Sequence, residues 1–237
     1  MSSRREQKEA LRREREERER QAKAAQARKR MVGYGGATVL VIAAVAIAAL
    51  LLTRADEGSG SVDPSVLPSG GSVPEQQEFD LTKAADAAGC ELKDVKASGS
   101  FDHTTDANER VKYNSNPPTS GRHFAVPVDD GAYSTAPTDE QLVHNLEHGR
   151  VIVWFKPNLP KDTRADLKAL FDEDTYQMVL APRAKMPYEL AASAWNGTPQ
   201  PSGLGRLLTC DSATPEMWDA LRAFRDEHRS NGPEPVP

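Results

Sequence analysis

The segment of this sequence with the most chemistry in it is His144-Asn-Leu-Glu147-His148. In a helix, histidines at i and i+4 stand one turn apart on the same face, so both imidazoles can reach one metal ion. Projection at about 100° per residue puts Leu142, Val143 and Leu146 on one side and His144 and His148 nearly opposite, with Glu147 at the boundary. The two histidines therefore face solvent or a cleft made by another part of the chain. The spacing H-x-x-E-H is also that of zinc hydrolases in which the histidines ligate and the glutamate is the general base. Glu147 would then be the catalytic residue, although the helix is short and no third acidic ligand stands out. The plainer alternative pairs Glu147 with Arg122 or Arg150 and leaves His148 at a helix C-terminus, where a protonated imidazole interacts favourably with the dipole.

Other parts of the chain offer further donors. Asn114-Ser-Asn-Pro-Pro-Thr-Ser-Gly121 is a stiff loop, because two prolines fix φ and Gly121 permits a turn. His123 follows it and is placed to add a third imidazole, completing an open three-ligand site. Met178 and Met186 would add soft sulfur and favour copper over zinc, unless they only fill core. His103 is the other histidine of this region, and His228, on the polar side of the last helix, is expected to be solvated. Cys90 and Cys210 are the only cysteines, and outside a membrane they are expected to pair as a disulfide.

The elements that must position these groups are legible in outline. Leu81 to Ala88 suggests a helix and Glu91 to Ala97 a strand. Thr138 to His148 is a helix with Thr138 as N-cap, Gln141 at the capping-box spacing and Gly149 as the stop. Val151 to Phe155 has the β-branched and aromatic run of a buried strand. Arg164 to Phe171 is an amphipathic helix; Gln177 to Ala181 and Glu189 to Trp195 are strands. Thr214-Pro215 is expected to cap a last helix reaching Arg229, with Met217, Trp218, Leu221 and Phe224 on its buried face. This order predicts an α+β domain with a mixed sheet and flanking helices. The order is loosely thioredoxin-like, but no C-x-x-C is present to support redox chemistry.

Composition divides the chain before that domain. Residues 1–30 hold 12 Lys and Arg against 6 Asp and Glu, a charge of +6. The whole chain carries −5, so the remainder carries −11, which argues against nucleic-acid binding by the domain. From Met31 to Thr53 no residue is charged, and about 22 helical residues span about 33 Å, enough for a hydrocarbon core of about 30 Å. A cleaved signal peptide has a shorter apolar core and a small-residue cleavage site, which is missing here. Arg28, Lys29 and Arg30 flank one end, and Asp56, Glu57 and Asp63 follow the other, so the N-terminus is expected in the cytoplasm and the C-terminal bulk outside the plasma membrane. The expected organisation is a charged tail over 1–30, a transmembrane helix over 31–53, a Gly/Ser/Pro tether over 54–77 and a globular domain over 78–237.

Several of these stretches also resemble a known family. Tyr113-Asn-Ser-Asn-Pro-Pro-Thr-Ser-Gly-Arg-His123, His144-Asn-Leu-Glu-His-Gly149, Met186-Pro-Tyr188, Ala194-Trp195 and the C-terminal Ala223-Phe-Arg with its later Gly-Pro-Glu are similar to the bacterial "domain of unknown function 3105" family, common in actinobacteria. The resemblance runs from about Cys90 to the end. It implies one N-terminal membrane segment and no particular activity.

The leading expectation is thus a single-pass membrane protein whose outer domain carries a His/Glu site, His144, His148 and His123 with Glu147 nearby, able to take copper or zinc. The lipid bilayer is one partner, and the sequence names no protein partner. The rivals are a metal-dependent hydrolase and a non-catalytic envelope interaction module.

Overall fold

The computed structural model describes residues 67–97, 101–234 and 236. The expected tail, the membrane segment at 31–53 and the first part of the tether lie outside the described residues. No helix among the described residues is long and apolar enough to cross a membrane.

Among the described residues, eight strands and four helices follow in the order α1 (Leu81–Ala88), β1 (Cys90–Lys96), β2 (His103–Thr104), β3 (His123–Phe124), β4 (Gly131–Ala132), α2 (Asp139–Glu147), β5 (Val151–Phe155), α3 (Lys161–Glu173), β6 (Met178–Pro182), β7 (Leu190–Asn196), β8 (Leu204–Cys210) and α4 (Met217–His228). Six strands form one mixed sheet in the order β1-β8-β7-β5-β6-β4. β5, β6 and β4 run parallel, while β7, β8 and β1 alternate antiparallel from β5 outwards. The fold is α+β with a mixed sheet, as the element order predicts.

Alternation along the strands divides the core in two. Val151, Val153 and Leu180 join Leu81, Leu170 and Phe224 on the face covered by α1, α3 and α4. Ile152, Trp154 and Val179 point the other way, against Leu142, Val143 and Leu146 of α2. β5 and β6 are buried along their whole length because both faces are covered, which is why they lack a polar side.

Local signals set the helix ends. Asp80 caps α1 by accepting from Lys83 N, and Gly89 closes it in the left-handed region at φ 64°. Thr138 and Gln141 form the expected capping box on α2, and Gly149 turns the chain out of it at φ 82°. α4 departs from expectation at its start. It begins at Met217 without a side-chain cap, and the Thr214 hydroxyl instead donates to Ala88 O at 3.3 Å.

Two further differences matter. β8 carries no strand signal in sequence, since Gly205 and Arg206 interrupt its apolar run; its place is fixed by pairing with β1 and β7 on either side. The tether ends before Gln77: Leu67 and Val73 pack on the core, and Ser72 N donates to Asp166 Oδ1 at 2.9 Å. Gln77 N and Glu78 N both donate to Asp219 Oδ2, at 3.0 and 2.9 Å. The cysteine pair agrees with expectation: Cys90 and Cys210 sit opposite each other in the β1–β8 register and are joined, with an S–S distance of 2.03 Å.

Candidate metal centre

The site lies on the α2 face of the sheet and is assembled from three separate pieces of chain. β2 and β3 pair in parallel with His103 opposite His123, so a two-residue ladder holds their imidazoles side by side. α2 supplies His144 and Glu147. The ring centroids of His103, His123 and His144 are mutually 4.5 to 4.9 Å apart. One ligand atom from each of these three histidines and one from Glu147 all fall within 4.8 Å of one another. His123 and Glu147 are buried, with side chains 0% and 3% exposed, and His103, at 39%, forms the open side.

The frame around the cluster is stiff. Thr119 and Ser120 of the proline loop are fully buried, and a Cβ added to Gly205 of β8 would meet Thr119 Oγ1 at 2.2 Å. That close approach explains a glycine in the middle of a buried strand. Asn145 clamps the chain after β3 to α2, donating from Nδ2 to Val128 O at 2.8 Å and accepting from Val128 N at 3.1 Å. Tyr113 donates its hydroxyl to Arg122 O at 2.9 Å, and Glu140 accepts from Val111 N at 2.8 Å. Trp195 meets the His123 ring edge-on at 6.2 Å between centroids.

Hydrogen bonding decides which way the donors face. His123 Nδ1 lies 2.7 Å from Gly121 O, and His144 Nδ1 lies 2.7 Å from Phe124 O. A carbonyl oxygen only accepts, so each Nδ1 carries the hydrogen and each neutral ring presents its Nε2 lone pair inward. This is the arrangement by which metal-binding imidazoles are oriented through their second nitrogen. His123 Nε2 then stands 3.0 Å from Glu147 Oε2, with His103 Nε2 3.5 Å from the same oxygen. Lone pair faces carboxylate, and only a cation or a proton between them makes that contact favourable.

Electrostatics agree with a carboxylate among imidazoles. Burial pushes the Glu147 carboxyl up, but the His123 hydrogen bond and the nearby histidine charges together pull it below its ordinary range. Burial also lowers His144, which the neighbouring histidines reinforce against the bond to Phe124 O. His148 is lowered by burial first and then by Arg150.

A family model described as "Protein of unknown function (DUF3105)" matches residues 104–237, more than half of the chain. The chain belongs to the DUF3105 family. No curated protein and no solved structure matches it. The DUF3105 match takes in His123, His144, Glu147 and His148 and begins one residue after His103.

Within this DUF3105 protein, the residues expected from sequence are distributed unevenly. His123, His144 and Glu147 come together. His148 stands beside them, its Nε2 3.1 Å from His144 Nε2, but groups with Glu147 and Glu234 rather than with the other imidazoles. Arg122 and Arg150 are engaged elsewhere, with Glu109 at 2.7 Å and Asp130 at 3.1 Å, so Glu147 is not an arginine partner. Met178 belongs to the core on the opposite face of the sheet and offers the site no sulfur. Met186 is buried on the site's own face, in the apolar cluster of Trp154, Trp195 and Leu207. His228 is not solvated: it is buried at 6% exposure with its ring edge against Phe224. His103 was the donor without a signal, because its partner lies twenty residues on in a ladder too short to show periodicity.

Proposed function

We propose that this protein is anchored in the bacterial plasma membrane by residues 31–53 and binds a copper or zinc ion in its outer domain through His103, His123, His144 and Glu147. One observation carries the metal reading. Two buried imidazoles have Nδ1 committed to backbone carbonyls, and their Nε2 lone pairs converge beside a buried carboxylate. Three imidazoles and one carboxylate form a set suited to Zn(II) or Cu(II), and its coordination number fits a tetrahedral ion. Glu147 sits within ligand distance of the imidazoles, which favours a ligand role over that of a general base acting through water. Binding, rather than hydrolysis, is therefore the function put forward.

The outer placement rests on the uncharged run and its basic cytoplasmic flank, and it is supported by a joined cysteine pair of the kind that persists in oxidising compartments. The strand order β6-β5-β7-β8 followed by α4 supports the thioredoxin-like comparison at the level of topology. It brings no dithiol chemistry, since the two cysteines are 120 residues apart and bonded to each other across β1 and β8.

Elemental analysis of the full chain purified in detergent tests the metal. We expect about one equivalent of copper or zinc or more, lost in a His123→Gln/His144→Gln variant. If the wild type neither retains nor takes up metal at micromolar concentration, a proton closes the His123–Glu147 contact and the domain is a structural module. Protease added to intact cells tests the placement, because an outer domain is digested without lysis.

A further inference from the structure

We propose that the domain holds a second divalent cation, bound by Glu147, His148 and Glu234, so that Glu147 is shared between two neighbouring ions. This rests on the metal reading of the first site and extends it.

The observations add the C-terminal segment and His148 to the group already described. One ligand atom from each of Glu147, His148 and Glu234 lies within 4.8 Å of the others. Glu234 is brought there by its backbone: Glu234 N donates to Glu147 O at 3.1 Å, and Ser230 N donates to Gly149 O at 2.8 Å. Between them, a Cβ on Gly232 would stand 2.2 Å from Glu147 O and 2.4 Å from Gly149 N, so the C-terminal segment fits closely over the end of α2. An exposed carboxylate on a loose tail would carry no such argument. Here the tail is stitched at three successive points, and Glu234 faces the helix end that presents His148.

His148 supplies the second line. Its Nε2 is 3.1 Å from His144 Nε2, whose own hydrogen is committed at Nδ1, so without metal His148 donates into that lone pair. An ion on His144 Nε2 removes the acceptor. His148 is then a neutral imidazole with a free ring nitrogen beside two carboxylates, one of them shared with the occupied site. One imidazole and two carboxylates are a harder set than the first, suited to Zn(II) or Mn(II) rather than to monovalent copper. Carboxylate bridging of two ions about 3.5–4 Å apart is the usual construction of paired sites.

Calorimetric titration of the metal-stripped full chain in detergent with zinc chloride tests this, beside Glu234→Gln and His148→Gln. The first keeps the backbone bond of residue 234 and changes an exposed side chain, so loss of folding does not confound it. The wild type is expected to bind two equivalents in two steps. Each variant should retain the first step within about threefold and lose the second or weaken it at least about tenfold. One equivalent in the wild type, unchanged in both variants, overturns the second site and leaves the first. Two equivalents in all three proteins place the second ion elsewhere and also overturn it. No binding in the wild type removes the metal reading itself.

Discussion

His123 Nε2 stands 3.0 Å from Glu147 Oε2 across 24 residues of sequence, and both side chains are buried. With His123 Nδ1 donating to Gly121 O, the contact joins two acceptors. Glu147→Gln replaces one of them by an amide that can donate to the imidazole without any cation. The variant should therefore hold its metal-free stability within about 1 kcal/mol of wild type, the net worth of an ordinary hydrogen bond, while zinc affinity falls at least about tenfold. Urea unfolding in chelator and zinc titration measure the two quantities on the same preparation. A variant as unstable as an uncompensated buried polar group requires, losing about 3 kcal/mol, would show that Glu147 is a structural partner of His123.

Gly205 and Thr119 are not neighbours in any motif, yet a Cβ on Gly205 would meet Thr119 Cβ at 2.5 Å as well as Oγ1 at 2.2 Å. Thr119 belongs to the loop that ends in Gly121, whose carbonyl orients His123. Gly205→Ala should thus cost about 1–3 kcal/mol by overpacking and also weaken metal binding by displacing the loop. Adding Thr119→Gly removes the clashing atoms, and recovery of affinity in the double variant is the readout that separates loop displacement from general destabilisation.

What the sequence discloses follows the range of the interactions involved. The capping box of α2, the stop at Gly149 and the apolar face of α4 depend on residues within a turn or two, and they are legible. The fully buried strand β5 is legible from composition. His103 is not, because a two-residue ladder to His123 has no period to detect. β8 is not, because Gly205 answers to Thr119 and Arg206 to Asp94, both distant in sequence. The i,i+4 rule places His144 and His148 on one face correctly, but which of them meets the other imidazoles is decided by β2, β3 and the C-terminal segment. Residues 67–77 have the composition of a tether and still dock, because Asp166 and Asp219 accept from their backbone N–H groups and Arg222 donates to Pro74 O.

Cys90 and Cys210 close 120 residues and tie β1 to β8 at the edge of the sheet. Chain entropy sets an upper bound of about 5 kcal/mol for a loop of that size, and removal of such bonds typically costs about 2–4 kcal/mol. A Cys90→Ala/Cys210→Ala protein should lose stability in that range. Because the bond is on the face opposite the histidines, its zinc affinity should stay within about threefold of wild type at temperatures where it is folded. Denaturant unfolding and titration of the double variant check both statements, and loss of affinity in folded protein would tie the bond to the site.

His228 provides the pH dependence that is free of the metal centre. Burial lowers its pKa to about 4, the charge of Arg206 adds to the effect, and Asp94 opposes it. Its Nδ1 is 3.3 Å from Asn196 Nδ2, so the neutral ring accepts there. A histidine whose folded pKa lies below the unfolded value of about 6.5 binds fewer protons folded than unfolded between those two values. Stability from keeping it neutral is therefore complete above about pH 6.5, falls as pH drops through the window down to about 4, and changes no further below it. The full span corresponds to about 3 kcal/mol, of which roughly 2 kcal/mol falls between neutral pH and about pH 4.5. His228→Leu keeps an apolar side chain against Phe224 and removes the titration. Urea midpoints of both proteins, measured in chelator across that range, should show the variant's dependence shallower by roughly 2 kcal/mol, since the carboxylates and site histidines titrate alike in both. Parallel curves would mean that His228 keeps an ordinary histidine pKa in the folded state, with Asp94 offsetting burial.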